Sequence, residues 1–180
     1  MKTELEVLKD IAQKLDSLNI PYMLTGSFAM SYYAVPRMTR DIDIVIELNA
    51  SNMALFIHQF KDDYYLSEES ILDSVKQEFI FNLIDPESSI KIDFIIRKKS
   101  EYRKIEFDRR IKLEIAGYLT YIVSREDLII SKLFWYSESG SETQKKDIIN
   151  LINSGYDEVY LSYWINKLNL TEYFNKINNE

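Results

Sequence analysis

Two segments in which apolar and polar residues alternate constrain the fold of this chain most strongly. In "DIDIVIEL", at residues 41–48, three isoleucines share one face of a predicted strand, while Asp41 and Asp43 share the other. In "IKIDFIIRK", at residues 90–98, Asp93 likewise points away from an apolar face. Carboxylates on one strand face repel one another, so they must be hydrated or neutralised. The two segments predict a sheet with one apolar face and an acidic opposite face.

The remaining segments predict an α+β fold with two parts. A mixed β-sheet with flanking helices is predicted for residues 1–123, and a helical C-terminal subdomain for residues 124–180. The sheet part contains a strand ending at Gly26, two strands joined by the turn signal "DPESS" and a hairpin around Gly117. The helical part opens with Ser124 as a predicted N-cap.

Composition and charge exclude several classes of protein. The chain has 180 residues, no Cys and one His, which excludes disulfides, thiolate metal sites and multi-histidine metal sites. The net charge of −7 argues against an extended nucleic-acid surface. The N-terminus does not resemble a signal peptide, and no apolar run is long enough for a membrane span. We therefore expect a cytoplasmic protein with no membrane partner.

A glycine-serine pair lies shortly before the first acidic strand. Gly26 ends a predicted strand and Ser27 can cap the short helix predicted after it, where free backbone N–H groups can hold a phosphate. If the two acidic strands run parallel side by side, Asp93 joins the aspartates of the first strand. Three carboxylates suit a hard divalent cation, Mg²⁺ above all. The alternative is a merely solvated strand face, although Val45 and Ile95 make this face only partly polar.

These motifs resemble those of a known superfamily. "GS", a spacer of thirteen residues and then "DIDI" resemble the signature of the DNA-polymerase-β-like nucleotidyltransferases, and "KIDFI" supplies their third acidic residue. Residues 22–97 carry this resemblance, and residues 124–152 carry a weaker one. The chain is most similar to small bacterial members, namely the AbiEii-type abortive-infection toxins and the lincosamide or aminoglycoside nucleotidyltransferases.

The resemblance implies an activity and a set of site residues. The expected reaction is attack of an acceptor hydroxyl on the α-phosphorus of a nucleoside triphosphate, with ATP as the expected donor, releasing pyrophosphate. Two Mg²⁺ ions would be held by catalytic residues on the acidic strands, and the nucleotide by four further residues. The resemblance assigns the catalytic and metal roles to Asp41, Asp43 and Asp93, and nucleotide binding to Gly26, Ser27, Arg40 and Lys132. The acceptor stays open between a small molecule, an RNA end and a protein.

Several alternatives remain open at this stage. A non-catalytic nucleotide-binding regulatory domain, or a component of a toxin–antitoxin pair, would keep the same fold, but a decayed site is expected to lose at least one of the three carboxylates or the Gly-Ser turn, so the enzyme is favoured. Arg40 fits an exposed loop as well as a phosphate ligand. Lys132 fits a helix ion pair with Asp127 or Glu126 as well as a triphosphate contact. Asp147 is expected to be solvated.

Aromatic residues are frequent, but most of them fall at core spacing. The prediction places Phe134, Trp135 and Trp164 in the core rather than at a base-stacking surface. His58, on an amphipathic helix, is expected at the surface rather than in catalysis.

Overall fold

A six-stranded mixed sheet organises the first part of the chain. The computed structural model describes residues 2–34 and 41–178. In those ranges the elements run in the order α1 Glu4–Ser17, β1 Tyr22–Leu24, α2 Gly26–Tyr33, β2 Asp41–Ile46, α3 Met53–Phe60, α4 Glu68–Gln77, β3 Ile80–Ile84, β4 Lys91–Ile96, α5 Glu101–Asp108, β5 Ile111–Ile115, β6 Tyr118–Ile122, α6 Arg125–Ser139, α7 Glu142–Asn153, α8 Glu158–Lys167 and α9 Thr171–Asn178. The predicted α+β class is confirmed.

The strand order places the two acidic strands side by side. The sheet runs β3-β4-β2-β1-β6-β5. β2 pairs with β4 and β1 pairs with β6 in the parallel sense, while the other three pairs are antiparallel. Because β1 and β4 flank β2 on both sides, β2 has no free edge and its register is fixed from two directions.

One face of the sheet is buried by helix α3. The isoleucines of β2 and the alternate residues of β4 have almost no exposed area on this face. The ring of Phe56 in α3 meets Phe81 at 5.6 Å and Phe94 at 5.3 Å, each edge to face, and the rings of Phe81 and Phe94 stack at 5.2 Å. Phe60 closes the cluster at 4.4 Å from Phe56. Burial of this face leaves the aspartates on the other one.

Three local features add to the predictions or correct them. Residues 101–108 form α5, which the sequence analysis left unassigned because the segment is dominated by charged residues; Ser100 caps it by accepting a hydrogen bond from the Arg103 N–H. Residues 49–52 form a turn held by the Asn49 and Asn52 side chains, and α3 begins at Met53 with Asn52 at its N-cap position. Helix α2 begins at Gly26, so Ser27 lies in its first turn rather than before it.

The contacts within the described chain form two compact units. The first contains residues 2–28 and 41–123, and the second contains residues 29–34 and 124–178. Helix α2 therefore begins in one unit and ends in the other. The predicted boundary at residue 124 stays a prediction, and residues 29–34 were predicted to belong to the first part.

A buried hydrogen-bond network fixes the start of the second unit. Ser124 is the N-cap of α6 and donates to the Asp127 carboxylate at 2.6 Å. Asp127 has no exposed area and accepts a second bond from the Tyr160 hydroxyl of α8 at 2.7 Å. Ser124 was predicted as the N-cap of this helix, and its hydroxyl accepts a hydrogen bond from the Asp127 N–H. Both donors satisfy a carboxylate that would otherwise be costly to bury.

The aromatic core prediction for this unit is only partly correct. Trp164 is buried, Phe134 is half-buried and Trp135 is 55% exposed. Trp135 lies on the outward side of α6, between the buried residues Leu133 and Tyr136. His58 is exposed, as predicted. Within the described residues, no helix combines the length and the apolar character needed to cross a membrane.

We predict that the phenylalanine cluster carries a large share of the stability of the first unit. Phe94→Ala should lower the free energy of unfolding by about 3–5 kcal/mol, because it leaves a cavity between α3 and the sheet. Phe79→Ala is the matched control: Phe79 is 63% exposed, and its loss should change stability by less than about 0.5 kcal/mol. Urea unfolding followed by circular dichroism measures both. Similar losses for the two variants would contradict the packing described.

Candidate functional site

The register of β2 and β4 brings the acidic residues of the two strands together. Asp43 is paired directly with Asp93, and Asp41 is paired with Lys91. Neighbouring strands lie about 4.8 Å apart, so the Asp43 and Asp93 side chains start from adjacent positions on the same face. Asp41 is exposed, whereas Asp43 and Asp93 are partly covered. The parallel arrangement on which the sequence argument depended is present.

Gly26 lies directly beneath the carboxylate of Asp43. A Cβ atom built on Gly26 would lie 1.9 Å from Oδ2 of Asp43 and 2.9 Å from its Cβ, so any side chain there would force Asp43 to move. Gly26 also has φ +59°, in the left-handed region that glycine adopts at low cost. The Thr25 N–H donates to the Asp43 carbonyl at 2.9 Å, which ties the turn to β2. The glycine therefore lets the carboxylate rest against the start of α2.

Lys91 is a member of this site that the sequence analysis did not assign. Its ammonium contacts Oδ2 of Asp93 at 2.8 Å, from two residues earlier on the same strand face. The hydrogen bond to Asp93 raises the pKa of Lys91 above its ordinary value, and the charges of Asp93, Asp41 and Asp43 act in the same direction, while partial burial opposes them. The signal available in the sequence was the alternation itself, since Lys91 and Asp93 stand at positions i and i+2.

The aspartates are neighbours but do not form a ready-made metal cluster. Across residues 2–34 and 41–178, no group of three or more His, Asp or Glu side chains is arranged to hold a metal ion. The chemistry of the donor set nevertheless fits a hard cation: hard carboxylate oxygens from β2 and β4 share one face, and the Gly26 contact holds one of them. Lys91 supplies the positive charge next to Asp93 in this arrangement.

The remaining predicted nucleotide ligands have separate outcomes. Ser27 is buried in the first turn of α2, one residue from Gly26. Arg40, like Arg37, lies outside the described residues. The roles assigned to Ser27 and Arg40 stay predictions.

Lys132 belongs to the second unit and lies in a buried ion pair. Its ammonium contacts Oδ2 of Asp147 at 2.7 Å and Oε1 of Gln144 at 3.3 Å, and both charged side chains are almost fully covered. The expectation of a solvated Asp147 is therefore wrong: helix α7 turns this residue towards α6 rather than towards water. The sequence also offered Asp127 and Glu126 as partners for Lys132. Asp127 accepts a hydrogen bond from the Tyr160 hydroxyl, and Glu126 accepts one from the Asp157 N–H.

Comparison with known proteins places this geometry in a recognised fold. No protein-family model and no curated protein matches the sequence. Among solved structures, a solution structure of the antibiotic-resistance factor ANT(2'')-Ia is similar over 96% of this chain and 97% of its own, with a TM-score of 0.61 at 16% identity. The lincomycin-bound lincosamide antibiotic adenylyltransferase LnuA matches over 83% of this chain and 96% of its own, with a TM-score of 0.57 at 18% identity.

A third similar structure is described as nucleotidyltransferase-like. An antigenic nucleotidyltransferase-like protein from Paracoccidioides brasiliensis is 24% identical, covers 83% of this chain and 76% of its own, and has a TM-score of 0.56. The chain therefore has the fold of the nucleotidyltransferase-like proteins, as the motifs predicted. The acidic strands β2 and β4 and the Gly26 turn are the parts of that fold in which the sequence placed its site.

We predict that a side chain at residue 26 costs more stability than one at residue 117, because it meets Asp43. Gly26→Ala and Gly117→Ala both place alanine at positive φ, a cost of about 1–2 kcal/mol, but nothing lies within 4 Å of a Cβ on Gly117. Gly26→Ala should therefore cost about 1–3 kcal/mol more than Gly117→Ala, through overpacking. Urea unfolding measures the difference. Adding Asp43→Ala should recover part of the excess in a double-mutant cycle; additive losses would show that the two residues do not touch.

We also predict that the Lys132–Asp147 pair is structural in the nucleotide-free protein. Lys132→Met leaves a buried carboxylate without its cation and should destabilise the protein by about 3–5 kcal/mol. A second change, Asp147→Leu, should restore much of this loss because no buried charge then remains. Lys146→Met, at an exposed position on the same helix as Asp147, is the control. Thermal unfolding that shows no difference between Lys132→Met and Lys146→Met would refute the pair.

Proposed function

We propose that this protein is a Mg²⁺-dependent nucleotidyltransferase that moves a nucleoside monophosphate from a nucleoside triphosphate to a hydroxyl group of a small molecule. One observation carries the proposal: Asp43 and Asp93 are register partners on parallel strands, and the Asp43 carboxylate rests against a glycine that opens a helix. This places carboxylates next to backbone N–H groups that lack intrahelical partners. Metal-assisted phosphoryl chemistry needs both kinds of group.

The residues are proposed to act as follows. Asp41, Asp43 and Asp93 would hold the divalent ions, which would supply positive charge to the phosphates. Asp93 also orients the acceptor hydroxyl and accepts its proton. The hydroxyl oxygen then bonds to the α-phosphorus, the bond from phosphorus to the bridging oxygen breaks, and pyrophosphate leaves. Preorganised charge around the phosphates is the main source of rate acceleration.

The first turn of α2 is proposed to hold the terminal phosphates. Gly26 and Ser27 would donate backbone N–H groups, and Ser27 its hydroxyl as well. Arg40 is proposed as a further phosphate ligand. Lys132 is proposed as a further nucleotide ligand, although a triphosphate would have to compete for its ammonium with the Asp147 carboxylate, which lies 2.7 Å away.

The nature of the donor and of the acceptor is supported by the similar structures. LnuA is described as a lincosamide antibiotic adenylyltransferase, and ANT(2'')-Ia as an antibiotic-resistance factor. We therefore propose ATP as donor and a small hydroxylated molecule as acceptor. The net charge of −7 favours a cationic acceptor over an RNA end. A screen of purified protein with α-labelled ATP, Mg²⁺ and fractions of small molecules, RNA and protein tests this, and label in the RNA or protein fraction would overturn the acceptor class.

We predict that Asp93 is required for turnover more than for binding. Asp93→Asn should lower turnover by about 10² or more, because the base is removed, while binding of a non-hydrolysable ATP analogue in Mg²⁺ falls much less. Asp73→Asn, at an exposed position on α4, is the matched control and should behave as wild type. Isothermal titration measures binding, and pyrophosphate release measures turnover. Equal losses of both would make Asp93 mainly a metal ligand.

The same measurements test the alternative of a regulatory domain. Metal-dependent binding of nucleotide by the wild type without transfer to any acceptor would favour a non-catalytic nucleotide-binding component, including one half of a toxin–antitoxin pair. No binding of any nucleotide with or without Mg²⁺ would refute both functions.

A further inference from the structure

Lys91 places a positive charge at the point where the acidic strands meet. Its ammonium lies 2.8 Å from Oδ2 of Asp93. Lys91 is also the register partner of Asp41, so it lies across from one aspartate of β2 and two residues before the aspartate of β4. The chain's own ammonium group, which carries one positive charge, therefore contacts Asp93, one of the three proposed metal ligands.

The electrostatic setting favours this position for the ammonium. The three aspartates of β2 and β4 share one face of the sheet. A nearby cation reduces the repulsion between their carboxylates. The Lys91 side chain is flexible and ends in a compact charge, so it can neutralise a carboxylate without the fixed planar geometry that an arginine requires. The ammonium of Lys91 therefore offsets part of the negative charge on this face.

The exposure of the pair shows that it can open. The Lys91 side chain is 39% exposed, so its ammonium can turn into water without movement of β4. Lys132 offers the contrast: its side chain is only 5% exposed and its partner Asp147 only 7%. Separation of Lys132 from Asp147 would leave unpaired charges buried in the protein. Separation of Lys91 from Asp93 would leave both charges partly exposed to solvent.

We propose that Lys91 is a built-in counter-cation that occupies Asp93 in the metal-free protein and that a divalent cation must displace to bind the three aspartates. The inference rests on the proposed function for the identity of the site. Its consequence is that the free protein binds divalent cations weakly. The negative charge of nucleotide phosphates attracts both the divalent cation and the released ammonium, and so compensates for the broken Lys91–Asp93 ion pair. The affinity for divalent cations therefore depends on bound nucleotide.

Titration of Mn²⁺ followed by electron paramagnetic resonance tests this directly, without any measurement of turnover. Without nucleotide, Lys91→Met should bind Mn²⁺ about tenfold more tightly than wild type or better, because a competing positive charge is gone. Lys91→Gln should do the same while keeping a hydrogen-bond donor towards Asp93, and it serves if Lys91→Met folds poorly. Lys91→Arg keeps the charge and should remain close to wild type.

The control and the contrary outcomes separate this inference from the proposed function. Lys104→Met removes the same charge from an exposed position on α5 and should leave Mn²⁺ affinity unchanged. Nucleotide-free affinity of Lys91→Gln equal to or weaker than wild type overturns the role of Lys91, even if nucleotide-dependent Mn²⁺ binding still supports the proposed function. If Lys91→Met changes only nucleotide affinity, Lys91 is a phosphate ligand and the inference is wrong. No Mn²⁺ binding by any variant, with or without a non-hydrolysable ATP analogue, overturns both.

Discussion

The parallel register between β2 and β4 is the constraint on which the rest of the site depends. A slip of one residue would turn every isoleucine of β2 out of the core and every aspartate into it. The cost of that exchange is large, because the isoleucine face is packed against α3 and the phenylalanine cluster. Hydrophobic burial on one face therefore fixes which aspartates meet on the other. The acidic site is positioned by residues that never touch it.

The Gly26 turn adds a second constraint of a different kind. Register sets the position of Asp43 along the sheet, but only the missing side chain at residue 26 allows its carboxylate to rest against α2. The positive φ of Gly26 and the hydrogen bond from the Thr25 N–H to the Asp43 carbonyl act on the same few atoms. The helix start and the acidic strand are thus held together by backbone conformation, which tolerates few substitutions.

What the sequence could predict follows from the range of the forces involved. Alternation along one strand is a local pattern, so the faces of β2 and β4 were readable from residues 41–48 and 90–98. The parallel pairing of β2 and β4 was assumed and could not be predicted, because pairing depends on strand order, and no local sequence pattern determines strand order. Helix α5 was missed because charge dominates its composition, although Ser100 gave a cap signal.

Long-range partners were the least predictable. Lys132 was expected to pair within its own helix, or to face a triphosphate, but it pairs across to Asp147 of the next helix. The competing carboxylate Asp127 is already satisfied by Ser124 and Tyr160, so it has little to gain from a lysine. Lys91 illustrates the opposite case: its partner is two residues away on the same strand, yet the pair forms only because both side chains share the acidic face.

These constraints explain why the fold is recognisable at low identity. The isoleucine face needs only apolar residues of suitable volume, and such positions accept many substitutions at small cost. The structure of ANT(2'')-Ia, at 16% identity, is similar over 96% of this chain. The Gly26–Asp43 contact is not of this tolerant kind, because a single added carbon atom would collide with the carboxylate. A fold can therefore persist through broad replacement of its core while a few steric and electrostatic contacts set the chemistry that the sheet presents.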